Sequence, residues 1–222
     1  MTEKDPALAK PTSLKLQVRF LLRKILPTIG VERRADVRAY LREEAQPDFD
    51  YFLLVVLSSI IATSGLLINS GAVIIGAMLV APLMSPIIGL GLGSLIGDEK
   101  LLKTAISALL RGSVIAIIVA ILLTWFNEAL PFITLQTLPT EVLSRTSPSP
   151  IDLMIALAGG LAAAFALAQP SISAALPGVA IATALMPPLG VVGIGIAMGR
   201  WEVAGGAFLL FITNAVTIAF SA

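Results

Sequence analysis

The feature that most constrains this chain is a series of long apolar runs that starts at Tyr51 and recurs to the last residue. A helix needs roughly 20 residues to cross a hydrocarbon core of about 30 Å. Within lipid, only a helix or a closed barrel satisfies its own backbone. Six runs of helical length stand out: Tyr51 to Ile68, Ala72 to Ile96, Thr104 to Phe126, Ile151 to Ala168, Leu176 to Met198, and Val203 to the end. They predict an all-α, polytopic membrane protein of about six transmembrane helices. Composition agrees. Only 13% of the residues are charged and 57% are hydrophobic, against about 25% charged in a soluble domain, and the mean hydropathy is +0.94.

The breaks between runs carry the turn chemistry. Asn69, Ser70 and Gly71 make a tight turn after the first span. Asp98, Glu99, Lys100 and Lys103 return the chain to water. The stretch 127–150, rich in Thr, Ser and Pro, is the longest connection. Gln169, Pro170 and Ser171 form a short link, and Arg200, Trp201 and Glu202 form the last boundary. The final span has no polar tail, so the sequence is expected to end short of a natural C-terminus.

Residues 1–49 form a separate segment that holds ten of the fifteen Lys and Arg. Ser13 to Leu26 places Leu14, Val18, Leu21, Leu22 and Ile25 at helical spacing among Lys15, Arg19, Arg23 and Lys24. That is the pattern of a basic amphipathic helix on a membrane surface. Pro27 and Gly30 break it, and Val31 to Ala45 reads as a second short helix, ended by Pro47. Both helices are expected to anchor on anionic lipid. Basic residues favour the cytoplasmic side, so the N-terminus is placed there and the protein in the cell inner (plasma) membrane. With six spans, Lys100 and Lys103 also fall inside. The loop holding Arg145 and the boundary holding Arg200 fall outside, with Trp125 and Trp201 near the outer interface.

The two halves resemble each other. At an offset of 106 residues, the segment Ala72 to Gly93 lies over Gly178 to Gly199 with seven identities in twenty-two positions, among them Pro82 with Pro188 and Leu83 with Leu189. Each half holds three spans. An odd number forces opposite orientations, so the repeats are expected to be inverted, about 51–126 and about 151–222.

The segments Asn69 to Pro86 (NSGAVIIGAMLVAPLMSP) and Leu176 to Gly193 (LPGVAIATALMPPLGVVG) resemble the bacterial and archaeal membrane proteins grouped as the domain of unknown function 389 family. The resemblance covers roughly Asp36 to the end. It implies a multi-span membrane protein of unsettled function and supplies no activity.

Function must therefore come from unusual residues. A proline inside a helix removes a hydrogen bond and clashes with the preceding turn, at about 3 kcal/mol. Pro82 and Pro86 lie on one face of span two; Pro187 and Pro188 are adjacent in span five. Each pair frees carbonyls that require a partner or a wet cavity. The breaks read either as a shared binding site or as simple kinks, with Ser85 and Thr183 placed to satisfy freed groups. Glycines in spans two, four and five read as close-packing positions. Arg111 is the only charge well inside a span, so it either snorkels to the interface or contacts a substrate or lipid headgroup. Thr213 and Asn214 lie mid-span in span six, and Asn69 and Ser70 serve the turn.

No cysteine or histidine is present, which removes thiolate chemistry and the commonest general base. No nucleophile–base pair, metal-ligand cluster or phosphate-binding loop is evident. No enzymatic activity, cofactor or nucleic-acid partner is expected. Two functions remain: a transporter- or channel-like protein with a site between spans two and five, or a homo-oligomeric scaffold or accessory subunit whose glycine faces make the subunit contacts.

Overall fold

The computed structural model describes residues 31–130, 137–169 and 175–221, without the side chains of 31–33 and 175–183. The expected basic helix from Ser13 to Leu26 lies outside these residues. The described residues form helices α1 (Val31–Glu44), α2 (Phe49–Leu67), α3 (Gly71–Val80), α4 (Met84–Ile96), α5 (Glu99–Ala129), α6 (Thr140–Leu143), α7 (Pro150–Ala168), α8 (Ala175–Ala197) and α9 (Trp201–Ser221), with no strand among them. Four helices, α2, α5, α7 and α9, are long and apolar enough to cross a membrane. The pair α3 and α4, bent by 57° at its break, makes a fifth if it is one span. The described side chains of α8 form a shorter apolar helix, Ala184–Ala197.

Helix ends follow from local chemistry. The Asp48 carboxylate accepts the Tyr51 N–H at 2.8 Å and starts α2. Ser149 and Asp152 form a reciprocal capping box on α7, with Pro150 at its first position, where a missing N–H costs nothing. Asp98 caps α5 through the Leu101 N–H. Two helix ends use left-handed glycines, Gly97 at φ 69° and Gly199 at φ 67°. In each, the next N–H reaches back to a glycine carbonyl: Asp98 to Gly93 at 2.9 Å and Arg200 to Gly195 at 2.7 Å. Glycine adopts that conformation without a Cβ penalty.

The core is built around α8. Its residues 184–195 are all buried, and α2, α3, α5, α7 and α9 pack against it. A helix buried on all sides reads as apolar all round, and this segment carries no charged residue. The surrounding helices bury small residues and turn large apolar ones outward. On α5, Ala105, Ala108, Gly112, Ala116 and Ala120 face in, whereas Leu110, Val114, Ile118 and Leu122 face out. On α9, Phe208, Leu209, Val216 and Phe220 are exposed. Outward apolar stripes of this extent suit lipid.

The second N-terminal helix forms where expected, but residues 37–45 do not lie free on a surface. Leu41 and Ala45 are fully buried in the main core cluster. Arg42 pairs with Asp98 at 2.7 Å. Tyr40 hydrogen-bonds Ser85 at the start of α4. Burial, with Glu44 adding, raises its pKa, while the Ser85 bond opposes the rise.

Candidate functional site at the proline-broken helices

Span two is broken and span five is not, and the sequence explains the difference. Pro82 drives the residue before it out of helical geometry, and Ala81 is extended at φ −68°, ψ 121°. Helix α3 therefore ends at Val80 and α4 restarts at Met84. Pro86 then sits buried in the first turn of α4, where its missing N–H is harmless. In α8, Pro187 and Pro188 lie inside one continuous helix. They leave the carbonyls of Thr183 and Ala184 without their helical donors. The Asn214 side-chain amide, 3% exposed on α9, donates to the Ala184 carbonyl at 3.0 Å. Its own Oδ1 is buried with no partner.

The remaining expected site residues divide. Ser85 is buried beside Pro86, at the break. The Thr183 side chain lies outside the described residues. Thr213 turns away from the break: its hydroxyl donates to the Leu209 and Leu210 carbonyls of its own helix at 3.0 Å each. Arg111 is not brought to the prolines. It is exposed on α5, between the outward residues Leu110 and Val114. Asn69 takes a left-handed φ of 54°, which Asn tolerates better than most residues, and its Oδ1 accepts the Glu141 N–H at 2.9 Å. Ser70 caps α3 through the Val73 N–H. The turn thus also ties the segment that starts at residue 137 to the α2–α3 corner.

Four buried groups were missed by reading spans one by one. The Tyr51 hydroxyl lies over Gly112 and donates to the Ala108 carbonyl at 2.9 Å. The Ser59 hydroxyl donates to the Ala116 carbonyl at 2.8 Å. Thr63 lies against Gly190, and its hydroxyl is buried without a partner among the described residues, as is that of Ser113. The signal was present: Ser59 and Thr63 are four apart, on one face of the first span.

Glycine contacts recur in matched pairs. A Cβ on Gly91 would strike the Ala219 carbonyl of α9, and a Cβ on Gly193 would stand 2.9 Å from the Ile117 carbonyl of α5. A Cβ on Gly93 would stand 3.1 Å from the Leu102 nitrogen, and one on Gly195 2.8 Å from the Ala204 nitrogen. Ser59 of α2 bonds Ala116 of α5, and a Cβ on Gly160 of α7 would stand 2.9 Å from the Ile218 carbonyl of α9.

A family model described as domain of unknown function (DUF389) matches residues 78–220. An uncharacterised protein of Methanocaldococcus jannaschii is 34% identical over 170 residues, which cover 77% of this chain and 51% of that protein. The chain thus spans about half the length of that relative. No solved structure matches.

Proposed function

The chain belongs to the DUF389 family, whose name assigns no activity, and we propose that it is a transporter- or channel-like membrane protein built from two inverted three-span repeats. In this reading α3 with α4 is one broken span and α8 is a continuous one, which gives six.

The observation that carries the proposal is the reciprocity of the contacts. Gly91 and Gly193 stand 102 residues apart, as do Ile117 and Ala219. Each half offers a glycine to the third span of the other half, which a two-fold relation between halves requires. The same offset relates Gly97 to Gly199, Gly93 to Gly195, and the buried Ala105, Ala108, Gly112 and Ala116 of α5 to the buried Ala207, Leu210, Asn214 and Ile218 of α9. Spans one and four follow at 101, from the caps Asp48 and Ser149 onward. This replaces the offset of 106 suggested by the Pro-Leu pairs. It matches Pro86, not Pro82, with Pro188. The two offsets differ by about one helical turn, which preserves the face of a helix. Apolar patterning alone therefore does not separate them.

Inverted repeats with interrupted helices near the midplane are an architecture of transporters. The scaffold reading loses its basis in sequence, because Gly89, Gly91, Gly93 and Gly160 all meet other parts of the same chain. The proposal involves no catalytic step. Its orientation, with the N-terminus cytoplasmic in the inner membrane, rests on the basic first fifty residues.

Two experiments test it. Single cysteines at Lys100 and Glu202, in a chain that has none, should react with an impermeant thiol reagent from opposite sides of the membrane. Labelling from the same side overturns the inversion. Purified protein in vesicles should pass at least one of urea, glycerol, chloride and phosphate faster than empty vesicles do. Equality for all four overturns the transport reading.

A further inference from the structure

We infer that the hydrogen bond from Asn214 to the Ala184 carbonyl is a latch that keeps α8 continuous across Pro187 and Pro188, and that its release lets α8 break where α3 and α4 are already separate. The inference rests on the repeat reading for its comparison between halves.

The two halves carry the same proline at matched positions, Pro86 and Pro188, and differ at others, Ser85 against Pro187 among them; two of these differences bear on the bend. Position 82 is proline, whereas its counterpart is Ala184. A proline there fixes the bend in the first half, because it forces Ala81 to be extended. Alanine imposes no such constraint, so the second half has a choice. The other difference is Gly112 against Asn214. Gly112 has no side chain and is covered by the Tyr51 hydroxyl, so nothing from that position reaches a carbonyl across the break. Asn214 does reach one, and it is the carbonyl that Pro188 leaves without a donor. The first half is thus fixed in the bent form. The second stays continuous, with one side-chain bond across the prolines among the described residues.

The bond is also under-supported on its other side. Among the described residues the buried Asn214 Oδ1 has no partner, so none of them anchors the amide a second time, and a buried acceptor left unmet favours a rearrangement that brings water or a donor to it. Past the break the helix is held, because Gly193 and Gly195 lie against backbone of α5 and α9. A bend at Pro187 and Pro188 moves the half that holds Ala184 and leaves the packed half after Gly193 in place.

The test uses Val191→Cys, a fully buried position just past the prolines, in the full chain in membranes, with an impermeant thiol reagent. With Asn214 present, labelling should be slow. Asn214→Leu keeps the branched four-atom skeleton and removes the donor, and should raise the labelling rate by tenfold or more. Pro188→Ala restores the backbone N–H, so Pro188→Ala combined with Asn214→Leu should return labelling to the starting rate. Unchanged labelling in Asn214→Leu overturns the latch, and so does fast labelling that persists in the double variant. If Asn214→Leu alone does not yield folded protein, a folded and slowly labelled double variant still supports the latch. Failure of both variants to fold overturns it, because Asn214 would then serve packing and not the freed carbonyl. The two-sided labelling at Lys100 and Glu202 tests the repeats separately, so either idea can fail without the other.

Discussion

Replacing Gly91 or Gly193 with alanine tests the contacts between halves most directly. At Gly91 the new methyl meets the Ala219 carbonyl; at Gly193 it stands 2.9 Å from the Ile117 carbonyl and 3.1 Å from the Ile121 backbone nitrogen. These obstacles are backbone, so no rotamer change relieves them, and the helices must part by roughly an ångström. Overpacking of this kind costs about 1–3 kcal/mol. In a chain of this size, each kcal/mol lowers a melting midpoint by roughly 2–4 °C. Each variant should therefore lose about 2–12 °C, read as loss of the monodisperse peak after heating in detergent at a fixed rate. Gly205→Ala is the control. Its methyl meets nothing within 4 Å, and alanine is the better helix former by up to about 1 kcal/mol, so its midpoint should stay or rise. The reasoning is refuted if Gly91→Ala and Gly193→Ala both melt within 1 °C of Gly205→Ala, an interval of roughly a third of a kcal/mol. A loss at one site only would refute the symmetry and leave the local contact standing.

Other outcomes follow from single interactions. Ser59→Ala removes a buried bond between α2 and α5 and should destabilise by about 1 kcal/mol in the same heating assay. Arg111→Ala should change neither melting nor solute flux, because the side chain is exposed on the outward stripe of α5; a lost flux would return Arg111 to the pathway. The Asp98 carboxyl is held below its ordinary pKa, first by the Leu101 N–H and then by Arg42. Its contribution to stability is complete above the unfolded value of about 3.9 and is lost as the pH falls through the lowered folded value. The difference in melting between wild type and Asp98→Asn should therefore shrink on acidification from pH 7 to below that window. Asn69→Gly keeps the left-handed turn but removes the acceptor for Glu141, so it should speed proteolysis of the 137–149 loop more than it lowers melting.

The apolar helices were legible because a membrane leaves the backbone so few options. Five of the six expected runs coincide with helices of nearly the same bounds, as with Ile151 to Ala168 against the observed Pro150–Ala168. The break in span two was visible as Pro82, but its size was not. A lone proline kinks a helix, whereas Pro82 together with Pro86 separates two helices by 57°. The role of residues 37–45 was hidden for a different reason. Leu41 and Ala45 are too few to mark a docking face by periodicity, and their burial depends on partners distant in sequence, such as Gly89.

The site was half legible, and the missing half is informative. Reading the chain linearly drew attention to charge, and so to Arg111, because a charge in a span is costly. That cost is small for a long side chain at the lipid surface, where snorkelling is available, and Arg111 lies on that surface. The residue that matters to the broken helix is Asn214, whose demand is a neutral carbonyl thirty positions away. A proline states in sequence which carbonyl it frees, four residues upstream. It does not state which side chain answers. Only the packing of α9 on α8 supplies that. Under the proposed repeat, which pairs Asn214 with Gly112, one half has an answer and the other does not, and in that proposal the asymmetry between the halves, more than their likeness, is what points to motion in α8.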